Sequence, residues 1–132
     1  MCLQRTIALL LLVVMIVTLA GCRSKTEGTG RQGGPDVRLV LEPDPPVVGE
    51  ARLVFIVSDR GQPVSNLQVS VEGNMTHAGM QPVFATAVET DPGRYVTQDF
   101  RFTMNGDWVL TVTLRSSEGS TFTRTFEVTV GE

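Results

Sequence analysis

From Asp36 to the end of the chain, apolar residues fall mostly on alternate positions, and turn signals recur about every eight to twelve residues. A period of two suits half-buried strands, because successive side chains leave a strand on opposite faces. Trp108, Leu110, Val112 and Leu114 form the clearest inward face. Leu67, Val69 and Val71 alternate with Gln68, Ser70 and Glu72, and Val37, Leu39 and Leu41 alternate until Pro43-Asp44-Pro45-Pro46 ends their run. Arg52 to Ser58 is denser in apolar residues, as a central strand is. Phe122, Phe126, Val128 and Val130 make a last inner face with threonines outward; Arg124 interrupts it and is expected near a sheet end. Asp59 to Pro63, Asp91-Pro92-Gly93, Met104 to Asp107 and Ser116 to Ser120 read as turns. Arg94 to Thr103 is expected as one strand. Val83 to Thr90 suits a strand or a short helix, and a strand is preferred because so short a run makes a poor helix. The expected fold is all-β: a single immunoglobulin-like β-sandwich of about seven strands, spanning residues 36–132.

Residues 1–21 have the parts of a secretory leader. Arg5 is the sole charge, and an apolar run from Ile7 to Leu19 follows. That run is short of the about 20 apolar residues needed to cross a bilayer core. It ends in Leu19-Ala20-Gly21-Cys22, the pattern of a bacterial lipoprotein signal. Cleavage before Cys22 and acylation of its thiol are expected, which tethers the domain outside the cytoplasm. With Arg23 next, and no Asp to retain it at the inner membrane of a Gram-negative cell, the outer membrane facing the periplasm is the expected address there. Cys2 departs with the leader, so no free thiol and no internal disulfide remain, and stability must come from an ordinary core. Residues 22–35 comprise the lipidated cysteine and a polar, Gly-rich linker with a typical reach of roughly 20 Å.

The full chain carries a formal net charge of −3 and no basic cluster, which argues against a nucleic-acid partner. An enzyme is not expected. One histidine without a nucleophile motif supports no Ser–His–Asp chemistry, and no pair among the scattered carboxylates stands out. The residues that do suggest chemistry are Met75, His77 and Met80, within Met75-Thr76-His77-Ala78-Gly79-Met80. Thioether sulfur suits Cu(I) and imidazole suits copper in either state, so this is a candidate soft-metal loop. If successive strands alternate in direction, Met104 falls at the same end of the sandwich, and Trp108 borders it. The competing reading makes these methionines plugs for the open end of the core and the protein an envelope interaction or accessory module with no metal site. Trp108 is expected as the large core residue rather than a ligand.

The stretch from Met75 to Leu114 resembles the YtkA-like domain, a small extracytoplasmic β-sandwich related to FixH-type proteins. The residues that carry the resemblance are the methionine loop (Met75, Met80), Pro92-Gly93-x-Tyr95, and Phe102-x-Met104-x-Gly106-x-Trp108-x-Leu110-x-Val112. It implies a binding or accessory role beside copper-handling or oxidase-assembly functions rather than catalysis. The partners to expect are then the membrane, through Cys22, and a copper-handling or envelope protein. Here one histidine stands between two methionines, whereas related loops often carry more methionine. A lipoprotein signal also stands where FixH-type proteins keep a membrane helix.

Overall fold

The computed structural model describes residues 33–132, apart from Ala78. The strands are β1 (Asp36–Glu42), β2 (Gly49–Asp59), β3 (Gln62–Pro63), β4 (Gln68–Met75), β5 (Val83–Asp91), β6 (Arg94–Thr97), β7 (Phe100–Phe102), β8 (Gly106–Arg115) and β9 (Thr121–Val130). The described residues contain no helix, and Val83–Asp91 is a strand. The leader, Cys22 and the linker up to Gln32 lie outside the described residues.

The strands hydrogen-bond in the order β1-β2-β6-β5-β4-β8-β9, with β3 and β7 joined to β2. All the ladders are antiparallel. The sheet curls until its ends nearly meet. The Phe55 ring on β2 lies 6.4 Å from the Phe126 ring on β9. Val47 and Gly131 form a parallel bridge, and Gly131 donates to the Pro46 carbonyl at 2.9 Å. Arg124 donates from Nη2 to the Pro35 carbonyl at 2.8 Å, so its charge leaves the apolar face to bind backbone. Gly34 lies so close to the Phe122 ring that a Cβ there would come within 2.3 Å of it. The last residues of the expected linker therefore lie against the sheet.

The result is a nearly closed, barrel-like β-sandwich with nine strands where about seven are expected from a typical sandwich. Two local events account for the difference. Asp59 pairs with Gln62 across Arg60-Gly61, both at positive φ (50° and 79°), which makes a tight hairpin and the short β3. The expected strand Arg94–Thr103 is broken at Gln98-Asp99. Val54 pairs with Val96 but Ala51 pairs with Phe100, so one extra residue sits on the broken strand: a β-bulge. The bulge orphans the Leu53 amide, which donates instead to Thr97 Oγ1 at 2.9 Å. That bond explains why Thr97 can be a buried polar residue.

Leu53, Phe55, Val57, Tyr95, Phe100, Phe102, Trp108, Leu110, Val112 and Leu114 fill the interior. Each fully buried side chain of the size of Val, Leu or Phe contributes about 1.5–3 kcal/mol. Phe100 reaches across to β4, where a Cβ on Gly73 would sit 2.8 Å from its ring tip. Only glycine at that position lets the two halves close around the ring. Beyond the bulge β7 follows β2, while the first residues of β5 pair only with β4. The two halves thus part at the end that holds Phe100 and Phe102.

Candidate metal-binding end of the sandwich

That parted end is where the methionines lie. Met75 is the last residue of β4 and pairs with Trp108 on β8. Its side chain is half-buried and packs on the core, and its methyl carbon stands 3.2 Å from where a Cβ on Gly106 would be. Gly106, at φ 122°, thus serves both the turn and the seat of the Met75 thioether. The ladder extends one residue past β4, as Thr76 N–H donates to the Asp107 carbonyl at 3.1 Å. His77 follows directly and is exposed, and Met80 is half-buried after a turn at Gly79 (φ 87°).

Met104 approaches from the other hairpin. It lies between β7 and β8 with 47% of its surface exposed, and its carbonyl accepts the Trp108 indole N–H at 3.0 Å. Trp108 itself is 1% exposed and belongs to the core, as expected. Its ring meets Phe102 edge to face at 5.3 Å, and Phe102 meets Phe100 at 5.1 Å. The end therefore has an aromatic cluster in its core, with Met75 placed by strand register and the Met104 backbone held by the indole. The loop carrying His77 and Met80 leaves from the same edge. These are all the methionines and the only histidine among the described residues.

The chemistry of this end is soft. Among the described residues there is no cluster of three or more His, Cys, Asp or Glu able to hold a metal. The nearby Asp107 carboxylate is engaged from outside, where it accepts the Thr129 hydroxyl at 2.8 Å. What remains are thioethers and one imidazole, a donor set that fits Cu(I) and suits hard cations poorly. Sequence reasoning assigned no role to Gly106 beyond the Gly-x-Trp pattern, and none to the Thr76–Asp107 contact. Both depend on the pairing of β4 with β8, which no local pattern announces.

The opposite end carries the other polar network. Glu89 on β5 accepts backbone N–H groups from Asn66 at 2.9 Å and Gly93 at 3.1 Å. Those bonds, the Asn66 one foremost and with help from Ser65, hold its carboxyl below the usual range. Tyr95 donates to the Val64 carbonyl at 2.8 Å and accepts from Leu67 N–H at 3.2 Å, and burial pushes its phenol up.

The model of the YtkA-like family matches residues 32–113, which include Met75, His77, Met80, Met104 and Trp108. The chain belongs to the YtkA-like family. The match ends within β8, so β9 completes this YtkA-like domain beyond the matched stretch. Among solved structures, the domain is similar to the PmoD soluble domain from Methylocystis sp. ATCC 49242 (Rockwell). The TM-score is 0.51 at 17% identity, over 75% of this chain and 94% of the other. That likeness is one of fold. No curated protein matches the chain.

Proposed function

We propose that this YtkA-like domain binds Cu(I) at its methionine end and delivers or buffers the ion outside the cytoplasm. Met75, His77, Met80 and Met104 are the ligands. The observation that supports this reading is that Met75 and Met104, from two different hairpins, both neighbour Trp108 through the backbone, at the edge from which the His77–Met80 loop departs. Thioether and imidazole donors bind Cu(I) without a thiolate, as an oxidising compartment requires. The role is binding, not catalysis.

The test is competition against a Cu(I) chelator under reducing conditions. The native protein should withdraw one ion per chain. Met75→Leu combined with His77→Ala should abolish this and leave thermal stability near that of the native protein. Failure of the native protein to compete would leave the methionines as packing at an open sandwich end, and the domain as an envelope interaction or accessory module.

Tethering is the second part of the proposal. Leu19-Ala20-Gly21-Cys22 directs cleavage and lipidation of Cys22. Two or more acyl chains, at about 0.8 kcal/mol per buried methylene, make attachment long-lived. The partners are then the membrane and a copper-handling or envelope protein, and in a Gram-negative cell the address is the outer membrane facing the periplasm. Mass analysis of the N-terminal peptide of the membrane-extracted protein should find a chain that begins at Cys22 and carries acyl groups, and an unmodified Cys22 or a retained leader would refute the lipid anchor.

A further inference from the structure

Two rows of side chains cross the outer face of three adjoining strands. Phe84 on β5 pairs with Glu72 on β4, and Glu72 with Thr111 on β8. Two residues along each strand, Thr86 pairs with Ser70, and Ser70 with Thr113. All six point away from the core, because Ala85, Val71 and Val112 between them face inward. Strands about 4.8 Å apart, with a rise of about 3.4 Å per residue, make the patch roughly 10 Å by 7 Å.

The break in the neighbouring strand turns this patch into a groove. Thr97 still pairs with Ala87, so Gln98 and Asp99 come next beside β5, where the ladder has ended. With the two rows they line a groove of about 500 Å³. Gln98 and Asp99 are exposed, the six residues of the rows are exposed or half-buried, and Phe84 leaves 66% of its surface open. Bulges often re-aim side chains beside binding sites.

The groups in the groove indicate the chemistry of its ligand. The four hydroxyls and the Gln98 amide both donate and accept, whereas Glu72 and Asp99 accept only. The Asn74 amide donates to Glu72 Oε1 at 2.9 Å, which orients that carboxylate. No Lys, Arg or His lines the groove. Arg115, the next outward residue on β8, and Arg101 on β7 lie outside it. A phosphate or carboxylate ligand would meet two like charges and no cation. An apolar ligand would take the hydroxyls out of water without replacing their hydrogen bonds. A sugar fits both halves of the groove. Its rim of hydroxyls donates to the carboxylates and exchanges hydrogen bonds with serine and threonine, and the C–H face of its ring packs on an aromatic ring.

We infer that this groove binds a neutral oligosaccharide, with Phe84 as the stacking surface and Glu72 and Asp99 as acceptors for sugar hydroxyls. The groove is open, so the complex is weak. It needs no metal and is independent of the Cu(I) reading.

The test is saturation-transfer NMR, which detects weak binding, on the purified full chain in deuterated detergent with a copper chelator present. Cellotetraose, maltotetraose and chitotetraose are the neutral probes, sialyllactose the acidic one and spermidine the cationic one. At least one neutral probe should take up saturation, most strongly at the C–H protons of one ring face, and the charged probes should not. Phe84→Ala and Asp99→Ala should each weaken that binding by about fivefold or more. Both side chains are exposed, so the thermal midpoint should stay near native. Thr125 pairs with Thr111 just outside the groove, and Thr125→Val should leave binding unchanged. Binding of no neutral probe, preference for spermidine or sialyllactose, or an affinity indifferent to the two groove substitutions would overturn the proposal.

Discussion

The two ends of this sandwich satisfy the same need, closing a curled sheet, by different chemistry. At the end of the Asp91–Gly93 turn, side chains tie down backbone. Glu89 holds two amides, and the Tyr95 hydroxyl bridges Val64 and Leu67. At the other end the halves part after the bulge, and the Phe100, Phe102 and Trp108 rings stack there edge to face, with Met75 packed on the core and the Met104 carbonyl bound by the indole. Directional hydrogen bonds fix a loop in one geometry, whereas methionine side chains adapt their shape. The end with adaptable ligands is the one that carries the candidate metal site.

Substitutions can separate the two ends. Trp108→Ala should have the largest effect. Loss of a buried indole costs about 3–5 kcal/mol, read as a fall in the urea midpoint, and it should also weaken Cu(I) binding by removing the seat of Met75 and Met104. Tyr95→Phe should cost less, about 1–3 kcal/mol, since it unpairs one carbonyl and one amide without opening a large cavity. It should leave Cu(I) binding unchanged. An effect of Tyr95→Phe on Cu(I) binding would show that the ends are not independent.

The pH dependence is smaller and belongs to the tied end. The Glu89 carboxyl is depressed when folded, so its contribution to stability is present above its ordinary value of 4.5 and is lost as pH falls through the folded value. The difference in unfolding midpoint between the native protein and Glu89→Gln should be greatest at neutral pH and shrink in acid. A difference that stays constant would rule out this role. Tyr95 is raised when folded, so its contribution is present below the ordinary 10 and is lost as pH rises through the folded value. It is the only tyrosine in the chain, so phenolate absorbance should appear above pH 10 in the folded protein and at lower pH once urea unfolds it.

Much of the fold was legible in sequence because a half-buried strand writes its period into its side chains. Trp108 to Leu114 is 0–1% exposed at each alternate position, and the ambiguous Val83 stretch is a strand. The break at Gln98-Asp99 was not legible. A bulge is defined by the partner strand, and the local pattern Tyr95, Thr97, then Phe100, Phe102 changes parity without naming a cause. The loop holding Met75, His77 and Met80 was visible as composition, and strand alternation put it at the same end of the sheet as Met104. The roles of Gly73 and Gly106 were not visible, because each leaves room for a side chain from a distant part of the chain.

By itself, then, the sequence determined an all-β domain with most of its strand limits, its inward residues, a YtkA-like character, and a loop of thioether and imidazole side chains as its most distinctive chemistry. Those properties depend on local period and residue type. Only the tertiary structure decided that β5 pairs with β4 to wrap a single sheet, that the bulge at Gln98-Asp99 parts its two halves, and that Trp108 neighbours both Met75 and the Met104 backbone. Register between strands far apart in sequence is set by the summed packing of the whole core, and no single stretch of chain contains it.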